Sequence, residues 1–217
     1  MMDKASIPTL HVEPLFATPL VMETVLDNDV DRTAVVAAIL AAAEAGGKRP
    51  GRNWSGTTGI RNEALRKLVG YIGDAAGRRT ADIRHPQRPV AWKTRAGGHV
   101  AFQDEHLDIV PSYDAFWSAL YVADDGYAGS RNPDAGGELI FHDPRLPAPM
   151  MELPELRLRT DMGRKNAVYT PEIAVRPATG YLLLYPGWLR VSMRTLRAAG
   201  PRVVVGVSLV APLDTDR

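Results

Sequence analysis

The chain has 217 residues, with 26 Lys and Arg against 25 Asp and Glu for a formal charge of +1, and no cysteine. So balanced a charge supplies no basic field for nucleic acid, and the lack of cysteine removes disulfides, thiolate metal sites and cysteine nucleophiles together. Any metal must rest on histidine, carboxylate or water. One sizeable core is within reach, so a single domain over residues 1–217 is expected. The opening "MMDKASIPTLHVEPLF" lacks the basic and long apolar regions of a signal peptide, and no stretch reaches the about 18 apolar residues of a membrane span. A cytoplasmic protein without membrane or nucleic-acid partners is the expectation.

Two helices come first. Residues 31–45, "DRTAVVAAILAAAEA", join strong helix formers to a stop at Gly46 and Gly47. Residues 62–76, "NEALRKLVGYIGDAA", place Leu65, Leu68, Val69 and Ile72 on one stripe at the i, i+3, i+4, i+7 spacing. Between them "GGKRPGRNWSGTTGIR" reads as a loop, ordered around Trp54. From about residue 90 short β-like runs take over: "PVAWKTR", "AFWSALYV", "GGELIFHD", "IAVRP", "GYLLLYPG" and "RVVVGVSLVAP". No helical pattern separates them, which predicts an antiparallel sandwich or barrel rather than βαβ units. Residues 145–165 read as a long loop of the kind that serves as a lid. The expected class is α+β: a mainly helical part to about residue 85, packed on a jelly-roll core from about residue 90 to about residue 213.

Chemistry starts at "DEHLDIVPSYDAFWSALYV". In an extended strand His106 and Asp108, two apart, share a face and can offer an imidazole and a carboxylate to one ion. The same pair can equally be a histidine–carboxylate hydrogen bond or two polar loop residues. A guanidinium at the start of an inward-facing strand, as Arg202 is in "RVVVGVSLV", can grip a carboxylate through two parallel hydrogen bonds, or it can be an ordinary strand-end charge. Trp117, Tyr121, Tyr185 and Trp188 are expected in the core, and Arg190 and Arg194 on the surface or against an anion.

In order along the chain, "LFATPL" (15–20), Trp92, a glycine turn at Gly97 and Gly98, the His106 motif, "SALYV", "GGELIFHDPR" (136–145), "LLLYPGWL" and the strand opened by Arg202 resemble a family of 2-oxoglutarate and Fe(II)-dependent oxygenases. That family is prolyl-hydroxylase-like, with a double-stranded β-helix core. The resemblance covers nearly the whole chain. It implies Fe(II) and 2-oxoglutarate as cofactors, His106 and Asp108 as metal ligands and catalytic residues, and Arg202 as the residue that binds the far carboxylate of 2-oxoglutarate. The implied activity is oxidation of a small molecule, hydroxylation or similar, in specialised metabolism, with homodimerisation left open.

The departures from the family pattern are specific. The distal histidine ligand, two residues after the Trp-Leu of the "PGWL" motif, is Val191 here, and no histidine follows His142. The family's serine two residues after the strand-opening arginine is Val204, and its closing asparagine is Ser208. Losing a direct ligand should weaken a metal at least as much as losing an outer-shell partner, which costs about 10 to 100-fold. His99 or His142 could substitute, or iron could be held weakly by His106, Asp108, 2-oxoglutarate and water. The alternative is an oxygenase-fold protein that has lost iron and acts as a nonoxidative enzyme or binding protein, with His106 and Asp108 as an acid–base pair. A structural module whose interior is filled by side chains is the third reading.

Overall fold

The computed structural model describes residues 18–46, 54–57, 62–109, 111–145 and 172–212. α1 (Arg32–Ala45) begins where the sequence supplies a cap: the Asp31 carboxylate accepts from the Ala34 N–H at 3.0 Å. It ends as Gly46 N–H donates back to the Ala42 carbonyl. α2 (Glu63–Gly77) begins at Asn62, whose Oδ1 accepts from the N–H groups of Ala64 and Leu65. Such caps satisfy amides that a first helical turn leaves open and contribute about 1 kcal/mol each. The expected stripe of α2 is buried, since Leu65, Leu68, Val69 and Ile72 are all 7% exposed or less.

The strands are β1 (Val21–Thr24), β2 (Trp54–Thr57), β3 (Lys93–Ala101), β4 (Leu107–Ile109), β5 (Trp117–Asp124), β6 (Leu139–His142), β7 (Glu172–Val175), β8 (Tyr181–Pro186), β9 (Val191–Met193) and β10 (Arg202–Val210). They form a six-stranded sheet in the order β1-β8-β5-β10-β3-β2 and a four-stranded sheet in the order β4-β9-β6-β7. The paired strands are antiparallel throughout. From β3 onward the chain keeps crossing between the sheets, the small one taking β4, then β6 and β7, then β9.

The alternation along β10 sorts two cores. Val203, Val205, Val207 and Leu209 join residues of α1 and α2 in one cluster. Val204 instead joins Leu120 and Leu183 of the large sheet and Leu139, Phe141, Val191 and Met193 of the small one. Because residues two apart share a face, the helices cover one face of the large sheet and the small sheet covers the other. This is the α+β arrangement that the sequence predicts.

Several local expectations change. Gly97 and Gly98, expected in a turn, lie inside β3, level with Gly206 and Val205 of β10 and with Thr57 and Gly56 of β2. Hydrogen bonding on both edges holds the glycines extended. The loop between the helices contains β2, and the three-residue strands β4 and β9 are too short to show a pattern in sequence. Trp117, Tyr121 and Tyr185 are buried, but Trp188 is 45% exposed. The lid expected over 145–165 lies, from residue 146 on, outside the described residues, as do residues 15–17 of "LFATPL". No helix among the described residues is long and apolar enough to cross a membrane.

Candidate functional site

His106 stands exposed immediately before β4, and Asp108 is the middle residue of that strand, level with Ser192 of β9. Its neighbour Ile109 is level with Val191 and packs on the apolar cluster between the sheets. Val191 is 2% exposed within that cluster. The position at which the resemblance expects an imidazole is thus part of the hydrocarbon core, held there by the alternation of β9 that also turns Met193 inward.

The two substitute ligands fall in different places. His99 is level with Val204, on the side of β3 that faces the small sheet, and a Cβ added to Gly206 would stand 3.3 Å from its Nε2. Burial holds the His99 pKa below the ordinary histidine value, favouring the neutral ring. His142 lies on β6, where its Nε2 is 2.8 Å from the Ser192 hydroxyl. Among the described residues, no three histidine or carboxylate side chains converge as a metal site would require.

Arg202 is fully buried at the start of β10 and is bound by protein groups. Its Nε donates to the Asp125 carbonyl at 2.9 Å, and its Nη1 donates to the Gly137 carbonyl and lies 3.2 Å from Met193 Sδ. The guanidinium lies over the Tyr127 ring, 4.8 Å from Cζ to the centroid, while the Tyr127 hydroxyl donates to the Gly136 carbonyl at 2.8 Å. Desolvation lowers the Arg202 pKa, opposed by Tyr127 and by the carboxylates of Asp125 and Glu138. Nη2 is buried with no hydrogen-bond partner among the described residues. The fork that could grip a carboxylate with two bonds has therefore given one arm to the backbone and kept one. Tyr127 carries no motif in the sequence, and its place beneath Arg202 comes from the turn after β5. Of the other two positions singled out by the resemblance, Val204 is buried in the inner cluster, and Ser208 Oγ is 2.7 Å from Ser112 Oγ.

No protein-family model matches the sequence, and no curated protein matches it. Solved structures do match. A Pseudomonas putida prolyl-4-hydroxylase superposes with a TM-score of 0.56 at 12% identity, over 91% of this chain and 95% of its own. The non-heme α-ketoglutarate-dependent carbocyclase SnoK from nogalamycin biosynthesis gives 0.56 at 15% identity, over 89% and 80%. HygX from Streptomyces hygroscopicus, solved with nickel and 2-oxoglutarate bound, gives 0.55 at 12% identity, over 90% and 84%. The chain thus has a fold like that of the 2-oxoglutarate and Fe(II)-dependent oxygenases.

The residues on that fold do not fit iron. A three-ligand facial site needs two imidazoles and a carboxylate on one face of the metal. Here the distal position is a buried aliphatic side chain, and His106 is exposed outside the cluster that holds it. A 2-oxoglutarate carboxylate would find one open donor on Arg202, Nη2, rather than a paired grip.

Proposed function

We propose that this chain uses the oxygenase fold, a double-stranded β-helix with helices on its large sheet, to bind or transform a small molecule without iron-dependent oxidation. The observation that carries this reading is the burial of Val191 in the apolar cluster between the sheets. A buried aliphatic side chain cannot coordinate a metal, and an imidazole in its place would have to enter an apolar interior. The enclosure of Arg202 by the Asp125 and Gly137 carbonyls supports the same reading. His106 and Asp108 then serve as an acid–base pair rather than as metal ligands. This reading keeps the cytoplasmic location expected from the sequence.

One observation favours the oxidative reading. Arg202 keeps a buried donor, Nη2, without a partner among the described residues, at the start of β10, in a fold shared with HygX, whose structure holds nickel and 2-oxoglutarate. In that reading Fe(II) sits on His106 and Asp108, 2-oxoglutarate on Arg202, and a small molecule is hydroxylated. Anaerobic titration of the purified protein with Fe(II) and 2-oxoglutarate separates the two. The iron-free reading expects no visible charge-transfer band and no metal-dependent rise in melting temperature. A saturable band with matching stabilisation would sink it.

A further inference from the structure

The outer face of the small sheet carries a line of three polar side chains that neither reading uses. Ser192 on β9 places its Oγ 2.8 Å from His142 Nε2 on β6, and the other ring nitrogen, Nδ1, is 3.4 Å from Glu172 Oε1 on β7. Register builds this line. His142 is level with Glu172, and Ser192 with Ile140, one step along the same face of β6. The face is sheltered, since Ile140 is 3% exposed and the His142 side chain 23%, while the Glu172 side chain is 47% exposed. Arg190 and Arg194, both exposed, flank Ser192 at the positions two residues before and after it.

We infer that Ser192, His142 and Glu172 form a nucleophile–base–carboxylate line that carries acyl transfer from a small carboxylic ester. The hydroxyl-to-imidazole distance is within the about 2.6 to 3.2 Å that activation of a serine requires. A carboxylate 3.4 Å from the far nitrogen favours the tautomer that keeps its proton on Nδ1 and leaves the Nε2 lone pair to accept from Ser192. In the acylation step Ser192 Oγ attacks the ester carbonyl carbon while its proton passes to Nε2. The bond from that carbon to the alcohol oxygen then breaks, and the proton leaves on the alcohol. Water, deprotonated by the same nitrogen, cleaves the acyl-serine, releasing the carboxylic acid and restoring Ser192. Arg190 and Arg194 supply positive charge beside the carbonyl oxygen as it becomes anionic, and favour esters that bear a negative charge. Ser192 and His142 are the catalytic residues, and Glu172 is a positioning residue.

The test uses the full chain and two probes, a fluorophosphonate and p-nitrophenyl acetate. Intact-mass and peptide analysis should show a single fluorophosphonate adduct on Ser192, lost in Ser192→Ala and in heat-unfolded protein. Hydrolysis of p-nitrophenyl acetate should disappear in Ser192→Ala and fall about 100-fold or more in His142→Gln. Glu172→Gln should lose most of the rate and Glu172→Asp should regain part of it, which a merely structural side chain would not do. An unlabelled Ser192 in the native protein, or hydrolysis that survives Ser192→Ala, overturns the inference. The iron titration reads separately. A charge-transfer band together with a labelled Ser192 would defeat the iron-free reading and leave this one standing, and an absent band with an unlabelled Ser192 would do the reverse.

Discussion

Arg202 and Tyr127 are stacked in the interior, guanidinium over ring at 4.8 Å, with Arg202 wholly buried and no carboxylate among the described residues hydrogen-bonded to it. A buried cation held by carbonyl dipoles, a thioether and an aromatic face ties three segments together: the turn after β5, the approach to β6 and strand β9. Desolvating the charge costs several kcal/mol, so each of these partners is needed to offset it.

That arrangement makes Arg202 intolerant of lysine. Arg202→Lys keeps the charge but cannot span both carbonyls, so unfolding in urea should show a loss of about 2 to 4 kcal/mol. Tyr127→Leu should lose about 2 kcal/mol through the aromatic face, and Tyr127→Phe less, since the ring stays and the hydroxyl with its bond to the Gly136 carbonyl goes. An unchanged urea midpoint in Arg202→Lys would show that the guanidinium holds nothing together.

Gly137 offers a controlled comparison with Gly129. Both sit at positive φ, 75° and 78°, so alanine is strained at either. At Gly137 an added Cβ would also stand 2.7 Å from Arg202 Nη2 and 2.8 Å from Leu196 Cδ1, whereas at Gly129 nothing among the described residues lies within 4 Å. Gly137→Ala should therefore cost about 1 to 3 kcal/mol more than Gly129→Ala in thermal or chemical unfolding. Equal losses would mean that the Arg202 cradle yields easily.

Restoring the expected ligand is a direct trial of the iron-free reading. Val191→His places an imidazole in the inner apolar cluster and should destabilise the protein by about 1 to 3 kcal/mol. Adding Fe(II) or Ni(II) should recover none of that loss in a melting experiment. Metal-dependent recovery would show that His106 and Asp108 wait only for a third ligand.

His99 gives the stability a pH dependence whose sign is fixed. Its pKa is lowered by burial in the folded chain and stays near the ordinary value of about 6.5 when unfolded. Above the ordinary value both states are neutral and the full stability is present. As the pH falls below it, the unfolded chain takes up a proton that the folded chain refuses, and stability drops until the folded value is reached. Urea midpoints between about pH 7.5 and about pH 5 should fall more steeply in the parent than in His99→Gln. Parallel slopes would count against a buried neutral ring.

The helices and most strands were legible because their signals are local. The Leu65, Leu68, Val69 and Ile72 stripe lies within three turns of one helix, and the Asp31 and Asn62 caps act on amides two or three residues away. The β-branched run of "RVVVGVSLV" likewise declares β10. Gly97 and Gly98 misled for the opposite reason. Taken alone, a glycine pair reads as a turn, and only pairing to strands distant in sequence keeps it extended.

The candidate site divides the same way. Sequence by itself established that valine stands at 191, where the resemblance expects a histidine, that cysteine chemistry is absent, and that the order of motifs resembles an oxygenase, because each depends only on which residue stands where. The tertiary structure decided what those residues touch. It turned Val191 into the apolar interior and gave Arg202 to carbonyls 77 and 65 residues away. It also brought Ser192, His142 and Glu172 into line from three strands. Strand register sets such contacts, and it is chosen by how the two sheets bury their apolar faces together, a balance over the whole chain that no local run of residues encodes.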